Sequence, residues 1–239
     1  MGAVIGTAGW SLARKDAAAF PTDGTALERY SQVFNGVEVN SSFHRPHQAS
    51  TWAKWAASVP EHFRFAVKIP KTITHQAKLV DVDTLIEQFA REVEQLGSKL
   101  KLLLVQLPPK LAFDAAVAER FFNDLRRSIG AEIVCEPRNI SWFDDDAEAM
   151  LRHLRVARAA ADPALSPVAS VPGGWRGLAY WRLHGSPKMY RSSYDDEAVE
   201  MYARHIRAAI DDGLDAWCMF DNTAASAATA NALSLMAKL

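Results

Sequence analysis

Cysteine is scarce, with only Cys135 and Cys218 in 239 residues, so no disulfide framework can be built from it. Both fall inside short apolar runs and read as small core hydrophobes. No apolar run reaches the roughly 18 residues that a membrane span needs, and residues 1–10 have neither a basic start nor a long apolar core. A signal peptide is therefore not expected, and the reducing cytoplasm is the expected compartment. Charge of one sign is missing too: the formal net charge is -1, which argues against bulk electrostatic capture of DNA or a membrane surface and leaves only a local basic patch. GxGxxG and Walker-type loops are absent, as are HxH and HExxH spacings, so those routes to nicotinamide, ATP or zinc are closed. No cofactor is expected.

What is present is a rhythm. Short apolar runs alternate with segments whose apolar residues recur every three or four positions, the signature of strands alternating with amphipathic helices. Strands are predicted at 4–7, 36–40, 63–68, 102–106, 133–136, 156–162, 178–184 and 216–220. Helices are predicted between them, with an acidic front at Asp144, Asp145 and Asp146 for one of them and a last one over 223–239. Pro60 and Gly97 supply stop signals. Residues 163–174, rich in proline and glycine, are expected to form a loop or a broken helix. No composition shift marks a boundary. A chain of this length buries roughly 70–75% of its unfolded surface, so one domain over residues 1–239 suffices, an α/β (β/α)8 TIM-type barrel.

Each run closes on a polar residue: Glu38 and Asn40, Lys68, Gln106, Glu136, Asp162, His184 and Asp221. Alternate residues on a strand share a face, and this set shares one parity while Val37, Val39, Phe65, Val67, Ile133, Cys135, Trp181, Leu183, Cys218 and Phe220 occupy the other. The apolar parity must meet the helices, because a charge turned that way would be desolvated without a partner. The polar parity then points inward and toward the carboxyl-end mouth, where barrel enzymes carry their chemistry. Arg182, one layer below His184, reads as a structural partner of Glu136 or Glu38.

The motifs Gly6-Thr7-Ala8-Gly9-Trp10, Val37-Glu38-Val39-Asn40-Ser41-Ser42-Phe43, Val67-Lys68-Ile69-Pro70 with Ile73-Thr74-His75, Val105-Gln106-Leu107-Pro108-Pro109, Glu136 with Arg138 and Ser141-Trp142-Phe143, Arg182-Leu183-His184-Gly185 and Phe220-Asp221-Asn222-Thr223 span nearly the whole chain. Their combination resembles the YecE-like family, a domain family of unknown function. The resemblance implies a TIM-type barrel and no established activity. Two positions depart from the family pattern: Asp221, often Asn, and His44, often Tyr.

The chemistry expected of such a mouth is non-redox acid–base work of hydrolase or lyase type. Glu38 and Glu136 are the candidate carboxylate pair and His184 the proton shuttle near neutral pH. Lys68, Arg138 and Arg45 would bind a small polar, anionic, sugar-like or nucleotide-like substrate, with Asn40, Gln106, Asp221 and Asn222 orienting it. Trp10 and Trp142, with Phe43, Tyr190 and Tyr194, offer rings for stacking. A helix opening at Asp221-Asn222-Thr223 could hold phosphate, although an N-cap is the simpler reading. A divalent metal on His75, Glu136, Asp162, His184 or Asp221 is disfavoured, because Lys68 and Arg138 would repel it. The alternative is a non-catalytic module that holds RNA or a nucleotide in the same mouth.

Overall fold

The computed structural model describes residues 2–239. Strands β1 (Val4–Thr7), β2 (Gly36–Val39), β3 (Arg64–Lys68), β4 (Leu100–Gln106), β5 (Glu132–Glu136), β6 (Val156–Arg158), β7 (Ala160–Asp162), β8 (Gly173–Gly174), β9 (Leu178–Leu183) and β10 (Asp215–Phe220) alternate with helices α1 (Ala26–Ser31), α2 (Ser41–His44), α3 (Ala49–Ala57), α4 (Asp83–Val93), α5 (Ala115–Ser128), α6 (Asp145–His153), α7 (Asp196–Asp211) and α8 (Ala228–Met236). They form a mixed α/β fold with two sheets, ordered β1-β10-β9-β7 and β2-β3-β4-β5-β6-β8. All pairings are parallel except β6 with β8.

The sheets adjoin in two places. A single residue, Ala159, separates β6 from β7, and its N–H still donates to Cys135 O at 2.8 Å; β6 pairs with β5 while β7 turns to β9. At the other edge, Ala8 bridges Glu38 in parallel and Gly9 N–H donates to Glu38 O at 2.8 Å. Side chains complete this β1–β2 seam. The Tyr30 hydroxyl accepts from Thr7 N at 2.8 Å and donates to Gly36 O at 3.1 Å. Asn35 accepts from Ile5 N at 3.0 Å and donates to Ala3 O at 2.8 Å. The strands come so close that a Cβ on Gly6 would lie 2.1 Å from Gly36 O, so no larger residue fits there.

Strand parity divides the interior in two. The apolar parity belongs to a large cluster shared with helix residues such as Phe89, Phe121 and Ile206. The opposite parity forms a separate small cluster that includes Ala66, Leu104, Val134, Tyr180, Trp217 and Met219. Each fully buried Val, Leu, Ile or Phe contributes about 1.5–3 kcal/mol, and the outer cluster therefore holds the helices on the sheets. The inner cluster forms the floor beneath the polar strand ends.

Helix starts follow their sequence signals. Asp144 caps α6 by accepting from Ala147 N at 2.9 Å, and Asp195 caps α7 by accepting from Ala198 N at 2.9 Å. Asp144→Ala is expected to cost about 1 kcal/mol, read as a lower urea midpoint with an unchanged slope. Two expectations need correction and one, for residues 163–174, gains detail. The strand over 156–162 is broken at Ala159, where the chain changes sheet partner. Residues 163–174 contain a 3-10 turn, Pro167–Ser170, and the short antiparallel β8, whose two glycines pack under Arg158 and Val156. The last helix begins at Ala228 without a side-chain cap, so residues 221–223 do not open it and place no helix amino end at the strand mouth.

Candidate active site

The carboxyl ends of β2, β3, β5, β9 and β10 converge on one buried ion cluster, and Arg182 on β9 is its hub. Its Nε donates to Glu38 Oε2 at 2.9 Å, its Nη1 to Glu136 Oε2 at 3.1 Å, and its Nη2 to Glu38 Oε1 at 2.7 Å, with Asp221 Oδ2 at 2.9 Å. One planar guanidinium thus ties three strands together. Burial opposes its charge, but Asp221, Glu38 and Glu136 hold its proton more tightly than usual. Tyr180, two residues earlier on the same face, donates to Glu38 Oε2 at 2.8 Å. The Asn40 amide, in the orientation that satisfies both neighbours, donates to Glu38 Oε1 at 3.1 Å and accepts from Arg182 at 3.2 Å.

His184 stands above this hub. Its Nδ1 lies 3.0 Å from Asp221 Oδ2, and its Nε2 lies 3.0 Å from Glu136 Oε1 and 2.7 Å from Arg138 Nη2. Arg138 also pairs closely with Glu136. Asp221 orients the ring, and Nε2 becomes the nitrogen at which a donor and an acceptor compete. Burial works against the charge of Glu136, yet Arg182, Arg138 and His184 hold its carboxyl well below the usual range. The same opposition, with Arg182 and His184 outweighing burial, lowers Asp221.

Lys68 differs from the other cations. Its ammonium sits 4.1 Å over the Phe43 ring, and among the described residues no carboxylate lies within 4.0 Å of it. Burial first, and the Arg182 charge second, bring its pKa down from 10.5 to about 8 against the opposing pull of Glu38, Glu136 and Asp221. Above the cluster, the loop after β9 lays Tyr190 edge-on to His184, with ring centroids 5.5 Å apart. Tyr190 takes a strained φ of 66°, held there by its own N–H bond to His184 O and by the bond from Ala224 N to Tyr190 O.

The structure therefore brings together Glu38, Asn40, Lys68, Glu136, Arg138, His184 and Asp221, with Gln106 half-buried and in register with Glu136. It separates the others. Glu38 has both oxygens committed to Arg182 and Tyr180, so it frames the hub instead of serving as a free acid or base. Arg45 is exposed in a cleft of about 150 Å³ beside Pro70, Leu85 and Phe89. Trp142 is buried, and its indole N–H donates to Leu111 O at 3.0 Å, which removes it from the stacking rim. Trp10 packs edge-on against Trp55 at 5.0 Å. Asn222 is buried and donates to Ser192 O and Asn231 Oδ1, both at 2.9 Å, so it supports the loop that carries Tyr190. Tyr194 is likewise structural: its hydroxyl donates to Asp162 Oδ2 at 2.6 Å and accepts from Gly185 N at 2.8 Å. Sequence reading missed Tyr180 as a polar partner. Strand parity points it inward, but an inward tyrosine looks the same as an apolar filler until its hydroxyl meets Glu38.

A TIM-like α/β fold that gathers a buried ion cluster at the carboxyl ends of its parallel strands defines the class of protein. Within that class, the chain belongs to the DUF72 family, described as proteins of unknown function, whose model matches residues 4–239. It is 33% identical over 84 residues to the UPF0759 protein YecE of Escherichia coli K12, a stretch covering 35% of this chain and 31% of that one. It is 32% identical over 125 residues to the UPF0759 protein YunF of Bacillus subtilis, covering 49% and 44%. The matches thus span less than half the length of these curated relatives. A crystal structure of a DUF72 family protein from Enterococcus faecalis superposes with a TM-score of 0.85 at 18% identity, covering 100% of this chain and 95% of that one. A xylose isomerase-like TIM barrel fused to a 4-hydroxyphenylpyruvate dioxygenase superposes at 0.50 with 13% identity, covering 91% of this chain and 40% of the fusion. No helix among the described residues is long and apolar enough to cross a membrane.

Proposed function

We propose that the protein is a non-redox enzyme of hydrolase or lyase type that moves protons on a small polar, anionic substrate at the mouth formed by the strand ends. In this reading the two sheets form one ring of eight strands and a single domain, with β6 and β7 counting as one strand, in the manner of a (β/α)8 barrel. It works in the cytoplasm, where Cys135 and Cys218 stay as free thiols.

One observation carries the reading: positive groups are left over where the negative ones are all engaged. Glu38, Glu136 and Asp221 each contact Arg182, while Lys68 has only a ring beneath it and the buried Arg138 Nε has no acceptor. An anionic ligand supplies what these cations lack. Drawing Arg138 toward that ligand leaves His184 Nε2 facing Glu136, with Asp221 fixing the other nitrogen, an arrangement that suits proton transfer. Gln106 and Asn40 orient the substrate from neighbouring strand ends.

The test is thermal unfolding of wild type and Arg138→Gln with inorganic phosphate, small carboxylates and sugar phosphates, followed by NMR for product formation from each stabilising compound. At least one compound is expected to raise the wild-type Tm, with affinity lower by about tenfold or more in Arg138→Gln. Turnover of that compound is expected to fall by about 10²–10⁴ in His184→Asn. Stabilisation indifferent to Arg138, or turnover indifferent to His184, overturns the proposal. Retention of phosphate, nucleotide or RNA with no turnover replaces the enzyme by a binding module.

A further inference from the structure

Lys68 has surroundings that mere anion binding does not require. Its backbone is fixed, since the Ser42 hydroxyl donates to Lys68 O at 2.6 Å. Its side chain is only 7% exposed and lies over Phe43, itself braced edge-on by His75 at 4.9 Å. Two other partly covered lysines are engaged: Lys99 donates to Ala56 O and Val59 O, both at 2.7 Å, and Lys238 pairs with Asp196 at 2.9 Å. A largely buried ammonium beside a guanidinium, with no carboxylate within 4.0 Å, is a setting in which a lysine becomes a nucleophilic amine. With a pKa of about 8, about a quarter of Lys68 is neutral at pH 7.5, against about 0.1% of an ordinary exposed lysine.

We propose that Lys68 condenses with the carbonyl of a small anionic aldehyde or ketone to form an imine, with Arg138 holding the anionic group. This rests on the acid–base reading of the same site and names its substrate class. The Lys68 lone pair attacks the carbonyl carbon, the C=O π pair moves onto oxygen, and that oxygen takes up a proton as the nitrogen loses one. His184 then protonates the hydroxyl, the C–O bond breaks, and one water leaves as the nitrogen lone pair closes the iminium. No oxidant or reductant is needed. The iminium draws electrons from the adjacent carbon, so a proton or a carbon–carbon bond there can be removed with help from His184, which is lyase chemistry.

The test runs on the wild-type chain. Glyoxylate, pyruvate and glyceraldehyde 3-phosphate are each added at pH 7.5 with sodium borohydride, which delivers hydride to the iminium carbon and fixes the link as a secondary amine. Intact mass and peptide mapping are expected to find one adduct per chain, at Lys68, formed about tenfold or more faster than at any other lysine. Lys68→Arg, which keeps the charge, is expected to lose that adduct. Labelling spread over exposed lysines with Lys68 unmodified, or no labelling by any of the three, overturns the imine. If the Arg138-dependent stabilisation by anions persists in that case, the acid–base reading stands; if it too is absent, both fall.

Discussion

Arg182→Met is expected to lower stability by about 3–5 kcal/mol at pH 7, or to prevent folding altogether, because it strips the shared partner from three buried carboxylates. The pH profile separates this from a simple loss of packing. In the wild type, Glu136 and Asp221 are held below their ordinary values of 4.5 and 3.8. Their contribution is complete above those values and is lost as the pH falls through the lowered ones. Without Arg182 the largest cationic influence on both is gone, burial weighs more heavily against the remaining cations, and the carboxyls rise. The variant should then gain stability on acidification from pH 7 toward 4.5, where the wild type is flat or falling. Urea midpoints across that range decide the matter. A loss under about 1 kcal/mol with the wild-type pH slope would mean that Arg182 is not the hub. Glu38→Gln in the Arg182→Met background should return part of the loss, since it removes one of the uncompensated charges.

Lys68→Met should act in the opposite direction. An ammonium whose pKa falls from 10.5 to about 8 on folding costs about 3 kcal/mol of stability wherever both states are protonated. The full cost applies below about pH 8. As the pH rises from 8 to 10.5 the folded state has given up its proton while the unfolded chain still holds one, so wild-type stability climbs through that window. Methionine keeps the apolar stem and places a thioether over Phe43, so the variant is expected to exceed the wild type by about 3 kcal/mol at pH 7. The gap should close near pH 10.5. A variant less stable than the wild type at pH 7 would show that the ammonium has a stabilising partner. The expected gain in stability comes with the loss of anion affinity, the trade usual at a functional position.

Much of this was legible in the sequence because strand parity is a rigid rule. It put Glu38, Lys68, Glu136, Arg182, His184 and Asp221 on one face, and they do share it. It also put Val37, Phe65, Cys135 and Phe220 under the helices. Parity gives a face but not a partner, which is why Glu38 looked like a catalytic acid until Arg182 and Tyr180 took both of its oxygens. Loops have no period to read. Arg45, Trp142 and Asn222 were placed by their position after a strand, and each turns elsewhere: into a separate cleft, beneath Leu111, and behind the Tyr190 loop. The late start of α8 follows from the same limit, since Thr223 to Ala227 carries good helix formers that the chain spends on a turn instead.

The β1–β2 edge has its own consequence. Where neighbouring strands elsewhere exchange backbone bonds directly, here a phenol and a carboxamide, Tyr30 and Asn35, stand in for several of them. Two χ rotations could unfasten what a ladder would release only by melting. The Glu38 end of the hub rests on that border, so the grip of Arg182 on its carboxylate depends on a seam fastened largely by side chains.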